Sequence, residues 1–307
     1  MSKRILVINP GSTSTKIALF EGADKIFDET LRYTSEELSR FHWVMEQVDF
    51  RRTAIEKALA DRGIDMTTLD GICARGGQLP ACESGTYLVD QTMVDYMYTV
   101  KNAAHASNLG CVLAFQLAQP LKIPAFICDP VAVDEMVDEA RITGLPEMHR
   151  KGIGHNLNTR AAAMRYAREQ GKAYKDITVI VAHLGGGITV NLHHNGRIED
   201  CVNDEEGLFS PERAGGLPMY DVIHRSFEEG QSDKSMMKLV KSRGGLPAHL
   251  GTTDCREVEH RIQNGDAHAK LIYDAMALNV AKFIGKTALG VCGKVDAILL
   301  TGGITYS

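Results

Sequence analysis

Short apolar runs joined by a small polar turn occur twice in this chain. Ile5-Leu6-Val7-Ile8 leads into Asn9-Pro10-Gly11-Ser12-Thr13-Ser14-Thr15-Lys16 and then Ile17-Ala18-Leu19-Phe20. Far downstream, Val179-Ile180-Val181-Ala182 leads into His183-Leu184-Gly185-Gly186-Gly187 and then Ile188-Thr189-Val190-Asn191-Leu192, which alternates as a half-buried strand does. Each copy predicts a β-hairpin. Between them, a pattern starting at Ser35-Glu36-Glu37-Leu38 predicts one helix up to Asp61-Arg62, where Gly63 ends it. Ile72-Cys73-Ala74 predicts a buried strand opening into Arg75-Gly76-Gly77, a helix follows over 109–118, and Ala125-Phe126-Ile127-Cys128 predicts a strand ending at Asp129-Pro130.

The second half repeats the plan. A helix over 157–169 precedes the strand over 177–182, and the second hairpin returns through Asn195-Gly196, a favoured two-residue turn. Helices are predicted over 219–227, 234–240, 254–262 and 267–289. Val295-Asp296-Ala297-Ile298-Leu299-Leu300 is then a buried strand opening into Thr301-Gly302-Gly303, with only Ile304, Thr305, Tyr306 and Ser307 after it. A covering element is expected at such a point, so the C-terminal portion reads as truncated. Strands and helices in this order predict a mixed sheet with helices against it.

A chain of 307 residues exceeds one usual core and predicts two domains, taken here as 1–135 and 136–307. A net charge of −5 gives no electrostatic reason to expect nucleic acid or an anionic membrane as partner. Met1-Ser2-Lys3-Arg4 enters a short β run and not a long apolar segment, which predicts a cytoplasmic protein. The seven scattered cysteines contain no C-x-x-C pair and predict reduced, mostly buried thiols.

Common catalytic signatures are excluded. Gly285-Lys286-Thr287 resembles the end of a phosphate loop, but Val280 stands where its first glycine belongs and the surroundings are helical. A strand, not a helix, follows Gly185-Gly186-Gly187, against a dinucleotide fold, and no G-x-S-x-G is present. His193-His194 lacks a third ligand at metal spacing and predicts an exposed turn flank. What remains is the pair of glycine and hydroxyl turns, whose backbone N–H groups an anion can approach closely. One turn in each half predicts two lobes acting on the phosphates of one nucleotide.

The segments INPGSTSTKIALF, RGGQLP, NAAHASN, ICDP, KGIGHN, VAHLGGGITV, GLFSPERAGGLP, GTTDCREVE and ILLTGGI, in this order, resemble the acetate and butyrate kinase family. The wording is nearer the butyrate kinases: NPGSTSTK stands where acetate kinases resemble NAGSSSLK, HLGGG where they resemble HLGNG, and SPERAGGLP where they resemble GTRSGD. The resemblance implies a two-lobed actin-like ATPase fold, ribonuclease H-like, with a duplicated mixed sheet core. It also implies reversible phosphoryl transfer between ATP and a short carboxylate, giving ADP and an acyl phosphate, with Mg²⁺. An acetate or propionate kinase, or a non-catalytic nucleotide-binding remnant, are the alternatives. A carboxylate is already ionised at neutral pH, so the task is to bring an anion to a polyanion, which calls for cations and donors.

By the same resemblance Arg75 and Arg213 are the two active-site arginines, His155 donates to the transferring phosphoryl, and Asp129 orients an arginine or holds Mg²⁺ through water. Asn9 matches a metal and phosphate asparagine, with Ser12, Ser14, Lys16 and His105 as substrate and phosphate neighbours. His183, Gly185, Gly186 and Gly187 fall to the nucleotide phosphates; Asp254, Arg256, Gly302 and Gly303 fall to adenosine. The family implies a homo-oligomer, a dimer or larger ring joined through the second lobe, with the helix over 267–289 as candidate interface.

Overall fold

The computed structural model describes residues 2–100, 105–203 and 205–306, so Asn102, Ala103 and Ala104 of the NAAHASN segment lie outside the described residues. The chain divides into two compact units, Met1–Val133 and Asp134–Ser307.

In the first unit, β1 (Arg4–Pro10), β2 (Ser14–Glu21) and β3 (Asp24–Arg32) form an antiparallel meander. After α1 (Ser35–Ser39) and α2 (Val48–Asp61), β4 (Gly71–Arg75) joins parallel to β1, with Val7 opposite Cys73. β5 (Thr86–Leu88), α3 (Gln91–Thr99), α4 (Asn108–Ala118) and β6 (Ala125–Cys128) complete a sheet of order β3-β2-β1-β4-β6-β5. Leu6, Ile8, Ile17, Leu19 and Ile72 are buried on it together with Leu109, Val112 and Leu113 of α4, a helix apolar on nearly all sides and therefore buried.

The helix expected over 35–62 is broken. α1 stops at Ser39, a 3₁₀ turn spans Val44–Gln47, and only then does α2 begin. Local bonds favour the break: the Glu46 carboxylate accepts the His42 N–H at 2.8 Å, and Phe41 turns back onto Phe50, ring centroids 5.6 Å apart. β3 escaped the sequence pattern because Asp24, Lys25, Asp28, Glu29 and Arg32 give it the charge of an edge strand.

The second unit contains α5 (Asp138–Arg141), α6 (Asn156–Glu169), and a meander of β7 (Val179–Leu184), β8 (Ile188–His194) and β9 (Arg197–Val202). Helices α7 (Met219–Ser226), α8 (Asp233–Lys241), α9 (Leu246–Leu250), α10 (Cys255–Gln263) and α11 (Ala267–Leu289) follow, and β10 (Ala297–Thr301) joins parallel to β7. The order β10-β7-β8-β9 repeats the β4-β1-β2-β3 arrangement of the first unit, which is the expected duplication. β7 is buried on both faces, as its unbroken apolar run requires: Val179 and Val181 pack with Ala163 and Ala167 of α6, Ile180 and Ala182 with Ala269 and Met276 of α11.

Asn195 and Gly196 take φ +53° and +77°, the left-handed pair that closes β8 onto β9. Gly285-Lys286-Thr287 lies in the last turns of α11, in helical and not loop geometry. His193 corrects the expectation of an exposed flank. Its strand register turns the ring inward, where it is fully buried with Nδ1 2.8 Å from the Tyr174 hydroxyl. The thiols are also less hidden than expected: Cys111 and Cys201 are buried, Cys292 is exposed, and the other four are half-buried.

Candidate active site

The first turn, between β1 and β2, carries Asn9, Ser12, Ser14 and Lys16. Pairing of Asn9 with Lys16 and a 2.7 Å bond from Gly11 N–H to the Ser14 carbonyl hold it tight. Beneath it lies a residue that the sequence reading missed. Arg51, fully buried on α2, donates from Nη1 to the carbonyls of Gly11 (2.8 Å) and Ser14 (3.0 Å) and from Nη2 to that of Ser12 (3.0 Å). No sequence motif marks Arg51; in the one-dimensional pattern it is one of two adjacent arginines on a helix.

Arg75 ends β4, half-buried, and burial lowers its pKa from the ordinary value. Its carbonyl is approached so closely by α4 that a Cβ on Gly110 would stand 2.2 Å from the Arg75 oxygen, so only glycine permits the contact that fixes the strand end. Asp129 follows β6 with φ +37°, a left-handed conformation rare for a residue with a side chain. It is held there by two bonds with Gly85: Asp129 N–H donates to the Gly85 carbonyl at 2.9 Å, and Gly85 N–H donates to Asp129 Oδ1 at 2.8 Å. His105 hydrogen-bonds Ser107 through Nδ1 at 2.7 Å, just before α4.

In the second unit the turn Gly185-Gly186-Gly187 joins β7 to β8, and three other segments meet it or the strand ends beside it. His155, at the start of α6, stacks on His183 with ring centroids 4.0 Å apart and planes 15° from parallel. Thr189 holds His155 Nδ1 at 2.8 Å, and His183 Nδ1–H donates to Asn158 Oδ1 at 2.9 Å, so each ring orientation is set by a neighbour. The Ser210–Arg213 segment is tied to the same turn: Ser210 Oγ–H and Glu212 N–H both donate to the Gly186 carbonyl, at 2.8 and 2.9 Å. Arg213 donates from Nη1 to the carbonyls of Glu212 (2.9 Å) and Lys241 (2.8 Å). Finally, β10 places Thr301 opposite His183, and Gly302, at φ +98°, lies against Leu184 where a Cβ would stand 2.2 Å from the Leu184 oxygen. Gly303 begins the turn that follows.

Glu212 lies beside Gly186. A Cβ on Gly186 would fall 2.5 Å from Glu212 Oε1, so with glycine the carboxylate occupies the space beside the α-carbon where acetate kinases resemble HLGNG. Asp254 and Arg256 form an exposed ion pair (2.7 Å) in which Asp254 caps α10, and the bonds that join the other segments to the glycine turn do not extend to them among the described residues. Bonding to Arg256 lowers the Asp254 pKa to about 2.

Asn9 and Asp129 offer the hard oxygen donors that suit Mg²⁺. No group of three or more His, Cys, Asp or Glu side chains among the described residues makes an all-protein metal cage.

The profile of the acetokinase family matches residues 148–306. Butyrate kinase 2 of Clostridium acetobutylicum is 44% identical over 309 aligned residues, covering 100% of this chain and 87% of the relative. Butyrate kinase 1 of the same organism is 42% identical, covering 99% of this chain and 86% of the relative. Among solved structures, Porphyromonas gingivalis acetate kinase superimposes with a TM-score of 0.80 at 21% identity, covering 99% of this chain and 84% of that one. A propionate kinase from Francisella tularensis gives 0.79 at 19% identity, covering 98% and 84%.

Proposed function

This chain belongs to the acetokinase family, and we propose that it is a butyrate kinase in activity, transferring phosphoryl reversibly from ATP to butyrate or a similar short carboxylate. Its fold is the two-lobed actin-like ATPase fold shared with acetate kinases. The observation that carries the reading is the identity to two butyrate kinases across essentially the whole chain, with Arg75, Asp129, His155 and Arg213 all present in their motifs.

The roles follow from charge. The substrate carboxylate is itself the nucleophile, so no base is needed; the residues must hold two anions together and take up charge as it moves. Arg75 and Arg213 supply forked donors to carboxylate and phosphoryl oxygens, a geometry that lysine does not reproduce. His155 donates to the transferring phosphoryl, with His105 as a further substrate neighbour. The first turn, with Asn9, Ser12, Ser14 and Lys16, meets the phosphoryl group; the second, with His183 and Gly185 to Gly187, meets the β- and γ-phosphates. Asp254, Arg256, Gly302 and Gly303 serve adenosine. Asn9 and Asp129 would hold Mg²⁺, which would supply neutralisation of phosphate charge. In this reading residues 1–135 form the carboxylate side and 136–307 the nucleotide side.

No helix among the described residues is long and apolar enough to cross a membrane, which suits a cytoplasmic enzyme with small water-soluble substrates. Trapping acyl phosphate as hydroxamate, with ATP, Mg²⁺ and matched acetate, propionate, butyrate and isobutyrate, tests the proposal. Preference for the four-carbon acids is expected. Preference for acetate or propionate would reassign the substrate, and no product with any acid would reject catalysis.

A further inference from the structure

Arg51 is a fully buried cation with no carboxylate partner among the described residues. All of its acceptors are neutral: the carbonyls of Gly11, Ser12 and Ser14, the Thr15 hydroxyl at 3.1 Å, and Gln47 Oε1, which takes Nε at 3.0 Å and Nη2 at 2.7 Å. The Tyr33 ring covers the guanidinium, with Cζ 4.7 Å from the ring centroid. Burying such a charge is costly, and burial lowers its pKa from the ordinary value. Every N–H of the fork is engaged, by bonds to the turn and to Gln47, which leaves no donor to touch a substrate.

A planar trans peptide points its C=O and N–H in opposite directions, and the described chain contains no cis bonds. The Gly11 carbonyl is drawn down onto Arg51, so the Ser12 N–H points away from it; the Ser12 carbonyl is drawn down likewise, so the Thr13 N–H points away as well. Ser12 and Thr13 are exposed, and among the described residues neither N–H donates to a protein acceptor. Two successive outward N–H groups over a buried positive charge make an anion nest.

We propose that Arg51 is a positioning residue for the phosphoryl group: it pulls the turn carbonyls inward, aims the Ser12 and Thr13 N–H groups outward, and has its charge balanced by the anion that they bind. This rests on the reading of the first turn as a phosphoryl site and adds Arg51 and Thr13 to it. Lysine at 51 would keep the charge, but its three tetrahedral donors cannot serve five acceptors arranged in a plane.

The test is amide NMR on the ²H,¹⁵N-labelled full chain, titrated with inorganic phosphate and separately with adenosine. Phosphate is expected to move the Ser12 and Thr13 amides downfield to saturation, and adenosine to leave them in place. Arg51→Met is expected to weaken phosphate binding about tenfold or more with adenosine affinity unchanged, and Arg51→Lys to fall between. If phosphate moves the Gly185 to Gly187 amides but not those of Ser12 and Thr13, the inference is overturned and the proposed kinase activity stands. Equal weakening of phosphate and adenosine binding would reduce Arg51 to a structural role and also overturn it. If no amide responds and no hydroxamate forms, the kinase reading itself fails. Should Arg51→Met not fold, Arg51→Lys carries the comparison, and wild-type Ser12 and Thr13 amides unmoved by phosphate still overturn the inference.

Discussion

Arg75 and Arg213 sit at the ends of rigid devices, the first on a strand end clamped by α4, the second on a segment bonded to the glycine turn and to the Lys241 carbonyl. Replacing either by alanine removes the forked donor; Arg75→Ala leaves the strand-end clamp in place and Arg213→Ala leaves the Ser210 and Glu212 bonds to the glycine turn, while giving up the side chain's own bond to the Lys241 carbonyl. Turnover of acyl phosphate formation is expected to fall on the order of a hundredfold or more in each variant, by the scale of losing one preorganised charge donor. Steady-state rates against butyrate and ATP check this, and wild-type turnover would remove the residue from the site. At this scale the sequence was informative where a residue type stands beside a glycine turn. It was silent on Arg51 and Glu212, whose meaning lies in what they pack against: three carbonyls forty residues away in the one case, the α-carbon of Gly186 in the other.

Among the elements, β8 carries the clearest pH-sensitive group. His193 is buried on it, and burial, helped by the nearby Arg160 charge, pushes its pKa down to about 3. Its Nε2 has no hydrogen-bond partner among the described residues. The folded pKa lies below the unfolded value of about 6.5, so between the two the unfolded chain binds more protons. The neutral ring therefore contributes its stability fully above about pH 6.5, and this is lost as pH falls toward 3, on the order of a few kcal/mol in total. Thermal unfolding followed from about pH 7 to 4 is expected to show a steeper loss for the wild type than for His193→Phe, which keeps a buried ring without the proton site. Parallel slopes would show that other groups control the acid sensitivity. The elements were mostly legible because period-two and period-3.6 patterns are local; the break between α1 and α2 was not, since the Phe41 to Phe50 contact and the Glu46 bonds reward a bend that propensity alone would not choose.

For the whole molecule, α11 presents a test of assembly. Only Ala269, Met276 and Thr287 of its residues are fully buried, while Leu271, Leu278 and Leu289 are exposed. α7 likewise exposes Met219, Tyr220 and Ile223, with Phe227 just beyond it. Apolar surface of this extent favours association, and the chain is expected to sediment as a dimer or larger species. Leu271→Glu together with Leu278→Glu is expected to shift it toward monomer if α11 forms the interface. A wild-type monomer at micromolar concentration would reject the oligomer, and an unshifted double variant would move the interface elsewhere.

The sequence by itself determined the duplicated hairpins, the strands β1, β2, β4, β6, β7, β8 and β10 with the helices α4, α6 and α11 in their order, and the motif residues that identify a carboxylate kinase, because each is written in local periodicity or in a contiguous run. Tertiary structure alone decided which distant side chains serve those turns. The break after α1 and the docking of α2 bring Arg51 under one turn, and the Ser210–Arg213 segment lays Glu212 on the other. Such contacts depend on close packing between segments far apart in the chain, and no local pattern records which buried charge will meet which carbonyl.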